Sequence, residues 1–222
     1  MGLKESGLRG SLRNVSVGID AIPDSDVYLH DDWGDNKLQD RDDSGETTHN
    51  GEEGIYRPEW RTVADQDLPS VSDERVTLTG GEAMITDINL NLNETITWDL
   101  NDISDLSGSG ADLVYFGMWN ETEDLDSSER PKDGYALFVR DDNWIFQRIE
   151  DDGTNVDLIN TSSAPGDDTD ATITRDPSGE WEFFIDGNSQ GTETDTTYTD
   201  PQYVTFSGRG DGVASIDEYK VS

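Results

Sequence analysis

The chain has 222 residues, with 50 acidic against 15 basic side chains and a formal net charge of −35. This balance excludes a nucleic-acid-binding surface, because phosphate recognition needs clustered Lys and Arg. The absence of cysteine excludes disulfides and thiolate metal sites. No apolar run approaches the length of about 18 residues that a membrane-spanning helix needs.

Hydrophobic residues make up only 32% of the chain, a composition that with high net charge is typical of disorder. Six Trp, seven Tyr and six Phe nevertheless occur in short alternating runs, and large aromatic rings are costly to leave in water. The chain is therefore predicted to fold. In molar salt the screening length of charges falls to about 3 Å, so surface carboxylates repel one another little. The acidity therefore indicates a protein adapted to very high salt concentration. Its surface is similar to that of proteins from salt-loving archaea.

The first 25 residues differ from the rest. Residues 1–19 carry three bases and one acid, whereas the remaining 203 carry 12 bases and 49 acids. Such an apolar, mildly basic arm fits two interpretations: a strand or cover on the protein's own sheet, or a docking arm into a partner subunit or larger assembly. We divide the chain into a docking arm, 1–25, and one domain, 26–222. The arm is defined by Leu3, Leu8, Arg9, Leu12, Arg13 and Val15.

After the arm, short alternating segments separated by turn residues predict antiparallel strands, and no segment predicts a helix. The clearest hairpin has its turn at Asp186-Gly187, since Asp-Gly accepts the positive φ angles of a tight turn. Many short strands at this spacing predict an all-β fold, a two-sheet antiparallel β-sandwich or jelly roll. The predicted strands are 27–30, 55–62, 74–79, 83–90, 93–100, 112–119, 134–140, 143–149, 155–160, 171–176, 180–186, 189–195, 202–207 and 213–220.

Six tryptophans divide into core and surface candidates. Five of them lie within strand patterns and are predicted to be core: Trp33, Trp60, Trp98, Trp144 and Trp181. Trp119 ends a strand at an acidic loop, and Tyr198 lies in a Thr-rich loop. Because sugar binding needs aromatic faces beside polar groups, these two are the candidates for an exposed glycan platform.

A cluster of oxygen-bearing side chains around the first strand suggests a cation site. Calcium takes six to eight oxygen ligands, and this cluster could supply several. The alternative is a solvated acidic surface with diffuse cations. The predicted cofactor is therefore none, or calcium. The candidate ligands are Asp31, Asp32, Asp35, Asn36 and, on the closing strand, Asp217.

Three segments resemble concanavalin A-like (laminin G-like) jelly rolls. Residues 171–191 are similar to a hairpin of the convex sheet, 215–221 to the closing strand and 29–38 to the opening strand. The resemblance implies that the first and last strands lie close together. Some members hydrolyse polysaccharides with a strand that reads Glu-x-Asp-x-x-Glu. The nearest match, Asp124-Leu-Asp126-Ser-Ser-Glu129, lacks the first Glu and lies in a loop. We predict no catalytic residue and no enzyme. His30 and His49 fit no His-based triad.

Residues 7–14 and 22–25 resemble the start of structural proteins of haloarchaeal tailed viruses. That resemblance implies a non-enzymatic virion protein of a fibre, spike or turret. It would form a homo-oligomer, contact other virion proteins, and carry an outward jelly roll that binds host surface glycans. It would contact no nucleic acid and no membrane. The first alternative is a carbohydrate-binding domain at the surface of, or secreted by, a haloarchaeon. The second alternative is a glycoside hydrolase.

Overall fold

The computed structural model describes residues 29–34, 37–38, 47–49, 52–55, 60–62, 66–88, 90–108, 114–119, 133–164 and 166–222. For 47–49, 52–55 and 119 it describes the backbone only. The arm at 1–25 lies outside these ranges. Every regular element within them is a β-strand. This part of the chain contains no helix with the length and apolarity of a membrane span.

Two large antiparallel sheets contain all but two of the eighteen strands. The strands are β1 (Leu29–Asp31), β2 (Thr47–His49), β3 (Glu52–Ile55), β4 (Arg61–Thr62), β5 (Ser70–Ser72), β6 (Arg75–Thr79), β7 (Ala83–Asp87), β8 (Ile96–Ser107), β9 (Val114–Trp119), β10 (Gly134–Val139), β11 (Trp144–Ile149), β12 (Asn155–Asn160), β13 (Thr169–Arg175), β14 (Glu180–Ile185), β15 (Asn188–Thr194), β16 (Tyr203–Gly208), β17 (Val213–Ile216) and β18 (Glu218–Val221).

The sheet connectivity is that of a sandwich. The nine-stranded sheet has the order β15-β14-β13-β8-β17-β6-β5, with β18 paired to both β8 and β1. The seven-stranded sheet has the order β12-β11-β10-β9-β16-β7-β4. Strands β2 and β3 form a separate pair. The predicted two-sheet antiparallel sandwich is confirmed, and the first strand pairs with the last, with Leu29 opposite Val221.

The core lies between the sheets and is rich in aromatic rings. All five tryptophans predicted to be core are buried, with exposures of 1% or less. The ring of Phe206 lies 5.2 Å from that of Trp60 and 4.7 Å from that of Tyr219. Such offset and edge contacts add to the stabilisation from buried area. They explain how a chain with few hydrophobic residues still holds two sheets together.

The predicted boundaries of β8 were wrong, because the second half of this strand has the sequence of a turn. The predicted strand at 93–100 runs instead from Ile96 to Ser107. Asp102 and Asp105 have positive φ angles of 53° and 55° within it. The strand thus continues through two kinks, and its register with β13 and β17 shifts there. The predicted strand 213–220 is likewise split into β17 and β18 at Asp217.

Two further segments differ from the prediction. Thr47–His49 pairs with Glu52–Ile55 where a loop was expected, so the backbone of His49 is part of a strand. Ser70–Ser72 forms an edge strand on β6 that the sequence pattern did not predict. Both segments are short and polar, and hydrophobic alternation is therefore too weak to reveal them.

Candidate functional site

Polar side chains converge at one end of the seven-stranded sheet, where β10 begins and β11 ends. Asp133 precedes β10, and Tyr135 is its second residue. Arg148 lies near the end of β11 and Glu150 follows it. The loop after β15, on the other sheet, supplies Asp195 and Tyr198. We call this group of six residues the rim: Asp133, Tyr135, Arg148, Glu150, Asp195 and Tyr198.

Asp195 is the buried centre of the rim. Its carboxylate accepts hydrogen bonds from Tyr135 Oη at 2.8 Å and from the backbone N–H of Thr197 at 2.9 Å, and it pairs with Arg148. Burial raises the pKa of Asp195, but these hydrogen bonds and the charge of Arg148 outweigh it, so the net pKa lies below the ordinary value. Arg148 also donates to Glu150 at 2.7 Å. This network ties the two sheets together.

Tyr198 is the half-buried aromatic ring of the rim. Its ring lies edge-on to Tyr135 at 5.9 Å, and its hydroxyl donates to Asp133 Oδ1 at 3.2 Å. Its backbone N–H donates to Tyr135 Oη at 3.2 Å. Burial raises the pKa of Tyr198 to about 12, with the charges of Asp133 and Glu150 adding to the effect. The ring is therefore a neutral surface that is held by Tyr135 and Asp133 and packs on one side against the main core.

Trp119 and Tyr198 were predicted together from sequence. The backbone of Trp119 pairs with Gly134 on β10 and with Tyr203 on β16. Gly134 directly follows Asp133, which accepts the hydroxyl of Tyr198. The structure thus brings both positions to the same end of the same sheet. Sequence reasoning missed Asp133, Glu150 and Asp195, because single acids carry no signal among 50.

The predicted calcium ligands do not converge within the described residues. Asp31 is fully buried, and its two oxygens accept from Trp33 N at 3.0 Å and from Trp60 Nε1 at 2.6 Å. Asp217 pairs with Arg75 on another element. Asp32 accepts the N–H of Gly34 at 3.1 Å. Asp35 and Asn36 lie outside the described residues. In the described ranges no three His, Cys, Asp or Glu side chains form a group suited to a metal.

Arg75 contacts three carboxylates near the two kinks of β8. Its guanidinium donates to Asp102 at 2.9 Å and to Ser104 at 2.5 Å, contacts Asp105 at 3.6 Å and pairs with Asp217. Three acids thus share one cation. Hydrogen bonding to Asp217, together with burial, raises the pKa of Asp102 to about 6. Asp102 therefore takes up a proton near pH 6 in the folded chain.

This raised pKa predicts a pH-dependent stability. An acid whose pKa is higher in the folded state stabilises the fold when protonated, and the contribution is lost as pH rises through 6. Asp102→Asn should mimic the protonated acid. We expect it to raise Tm by about 2–4 °C at pH 7.5 and by roughly half as much at pH 5, which lies between the ordinary pKa of Asp and the raised value of about 6. Thermal unfolding at constant molar salt measures both values.

Asp105→Asn is the matched control, because Asp105 lies on the same strand, also has positive φ and also faces Arg75. It should not reproduce the pH-dependent difference. An Asp102→Asn effect of the same size at pH 5 and pH 7.5 would contradict the raised pKa of Asp102.

The candidate catalytic motif at 124–129 lies outside the described residues. His30 lies on the nine-stranded sheet, where it pairs with Glu218. Asn101 donates to the second oxygen of that carboxylate at 2.6 Å. The hydrogen bond with His30 is the main cause of a lowered Glu218 pKa. The pair bridges neighbouring strands, as a cross-strand contact does.

Comparison with solved structures finds many β-sandwiches of similar fold. The carbohydrate-binding module CBM66 from Bacillus subtilis is 12% identical with a TM-score of 0.52, over 73% of this chain and 94% of the module. The calcium- and mannose-bound exoplasmic/lumenal domain of VIP36 is 14% identical with a TM-score of 0.53, over 79% and 86%. The carbohydrate recognition domain of Emp47p is 12% identical with a TM-score of 0.55, over 89% and 95%.

These likenesses confirm the lectin-like jelly-roll fold implied by the resemblance to concanavalin A-like domains. No protein-family profile matches the chain. No curated protein matches it either. At identities of 12–14% the shared property is the fold, and function has to be argued from the site.

Proposed function

We propose that this chain is a non-enzymatic glycan-binding β-sandwich whose rim holds the sugar. The observation that carries the proposal is the ring of Tyr198, half-buried, packed edge-on against Tyr135 and hydrogen-bonded to the carboxylate of Asp133. Sugars are bound by an aromatic face that stacks on C–H groups and by polar groups that take up the hydroxyls. The rim offers both within one loop and two strand ends.

The fold supports the same proposal. Solved structures of this fold include a carbohydrate-binding module, a mannose-bound lumenal domain and a carbohydrate recognition domain. The rim also lies on a stable support. Asp195 fixes the Tyr198 loop through the N–H of Thr197 and through Tyr135. A preorganised loop loses less entropy when it binds a ligand.

The test is the substitution Tyr198→Ala in the full chain, at molar salt, against a panel of immobilised glycans. We expect about a 10-fold or greater loss of affinity for whichever glycan the wild type binds, since a stacked ring contributes about 1–2 kcal/mol. Tyr198→Phe keeps the ring and should retain most of the affinity. Biolayer interferometry measures both variants.

Asp133→Asn tests the polar half of the rim, and Asp141→Asn is its matched control. The two acids flank β10 at opposite ends, and Asn tolerates the positive φ of 56° at Asp133. Binding should weaken only for Asp133→Asn. A wild-type chain that binds no glycan on the panel, or a Tyr198→Ala variant with unchanged affinity, would reject the proposal.

Calcium is a second part of this proposal, because a domain of this fold is described as calcium-bound. Asp31 is committed to two tryptophans and is a poor ligand here. The cation would instead have to use acids other than Asp31. Isothermal titration of calcium into chelator-treated protein in molar NaCl tests the idea, and the absence of a saturable heat would end it.

The finer role that we propose is that of a structural component of a haloarchaeal tailed-virus particle. The composition of residues 1–25 and their resemblance to such proteins favour it. The alternative is a surface or secreted domain of the host. Mass spectrometry of purified particles distinguishes the two, and sedimentation in molar salt should give a homo-oligomer for a fibre, spike or turret protein. Absence from particles would reject the virion role.

A further inference from the structure

Arg175 is a buried cation that pairs with no acid among the described residues. It is the last residue of β13 and is 1% exposed. In the same part of the chain, its Nε and Nη1 donors have no hydrogen-bond partner. Arg148 contacts two carboxylates and Arg75 contacts three. A chain with 50 acids thus gives acids to those two arginines and none to Arg175.

The side chain of Arg175 points into the sandwich, on the same face of β13 as the core residue Ile173. Its guanidinium lies 5.4 Å from the centroid of the Trp181 ring. Its Nη2 lies beneath the turn between β13 and β14, 3.3 Å from the position that a Cβ on Gly179 would take. The same Cβ would meet Thr196 Cγ2 at 2.3 Å. The turn and the loop after β15 therefore pack closely over the guanidinium.

The described acceptors around Arg175 are already used by other donors. The carbonyl of Asp195 accepts from Trp181 Nε1 at 3.2 Å, and its carboxylate is engaged in the rim. The carbonyl of Gly179 accepts from Asp195 N at 2.9 Å. Asp176 Oδ1 accepts three hydrogen bonds from within its own turn. The turn and the loop bond to each other and leave the guanidinium without an acceptor from this part of the chain.

A buried charge in this position needs an opposite charge. Burial lowers the pKa of Arg175, and the neighbouring Tyr135, Asp176 and Asp195 offset only part of that effect. A guanidinium nevertheless stays protonated in proteins. The ring of Trp181 attracts the cation but accepts none of the N–H groups in the guanidinium plane. A water molecule would accept those N–H groups without neutralising the charge. The arrangement therefore suits an anion.

The packing selects a small anion. A sugar carboxylate or a phosphate would have to reach a group that is 1% exposed, beneath Gly179 and Thr196. A single-atom anion needs less space and accepts N–H donors from any direction. Chloride is such an anion, and it is abundant at the molar NaCl concentration for which the composition of this chain is suited.

We propose that Arg175 binds a chloride ion inside the sandwich, through Nε and Nη1. The ion neutralises the guanidinium and stabilises the end of the β13–β14 hairpin against the loop that carries Asp195. An ion that binds only the folded chain stabilises it by mass action, in addition to general screening. The site lies beneath the surface, so this inference does not depend on glycan binding.

Exchange of the anion at constant ionic strength tests the proposal. Sodium gluconate at the same molar concentration as NaCl screens surface carboxylates equally, but gluconate is too large for the site. We expect the Tm of the wild type to fall by about 3–6 °C more than that of Arg175→Met, because the wild type in gluconate buries an unpaired charge. Arg140→Met is the matched control, since Arg140 is half-buried in the turn after β10. It should respond as the wild type does.

Equal responses of the wild type and Arg175→Met to the exchange would overturn the proposal. A direct measurement uses crystals grown in molar NaBr, because bromide replaces chloride and scatters anomalously. The wild type should show an anomalous peak in contact with the N–H groups of Arg175, and crystals of Arg175→Met should lack it. A water molecule or a carboxylate side chain in that place, or the absence of a peak, would also overturn it.

Discussion

Asp195→Ala should lower the free energy of unfolding by about 3–5 kcal/mol, the range for removing one partner of a buried ion pair. Asp195 is 7% exposed and joins the two sheets. The substitution removes the acceptor for Tyr135 Oη and for Thr197 N and leaves Arg148 with Glu150 alone. It also frees the loop that carries Tyr198, so glycan binding should fall with stability. Thermal and denaturant unfolding in molar salt measures the first effect.

Asp200→Ala provides the control for this prediction. Asp200 is an exposed acid of the same loop whose bond is to the adjacent Thr199, at 3.0 Å. Its removal should change stability by less than about 0.5 kcal/mol. If Asp195→Ala were as mild as Asp200→Ala, the network between the sheets would not contribute measurably to the fold.

The fold was predictable because the aromatic residues mark the strands. Trp98, Trp144 and Trp181 each occur in an alternating run, and each is buried as that pattern predicts. The Asp186-Gly187 turn was also predictable, and both residues have the positive φ angles, 49° and 72°, that a tight hairpin requires. These signals are local, and a single sequence contains them.

What escaped prediction depends on contacts between distant residues. Asp102 and Asp105 looked like the start of a loop, because Asp is unfavourable in strands. The structure keeps them in β8, where Arg75, which lies on β6, satisfies both carboxylates. The bend at Asp217 has the same cause.

The candidate site was only partly predictable for a similar reason. Tyr198 stood out because an aromatic residue in a polar loop is unusual. Asp133 and Glu150 did not, because they are ordinary acids of an acidic chain whose importance comes from their position beside that ring. Asp31 is a different case. Its neighbours suggested a cation, and in the fold its carboxylate accepts hydrogen bonds from the backbone N–H of Trp33 and from Trp60 Nε1.

Lowering the salt concentration should destabilise the domain more than any single substitution. Exposed carboxylates occur in adjacent pairs at several turns, such as Asp141 with Asp142 and Asp151 with Asp152. In about 1 M salt the screening length is near 3 Å, and at 0.01 M it is near 30 Å, which lets these groups repel across the whole surface. We expect the free energy of unfolding to fall by about 5 kcal/mol at low salt, which equals the lower end of a domain's total stability. It would lower Tm by about 10–20 °C.

Thermal unfolding in NaCl at about 3 M and at about 0.05 M measures this effect. The physical cause can be separated from a general solvent effect. A neutral osmolyte strengthens burial without screening charge, so it should restore little of the stability lost at low salt. If the osmolyte restored stability as fully as NaCl, exclusion of cosolvent rather than charge screening would explain the acidity. Equal Tm values at the two salt concentrations would remove the basis for interpreting the surface as an adaptation to brine.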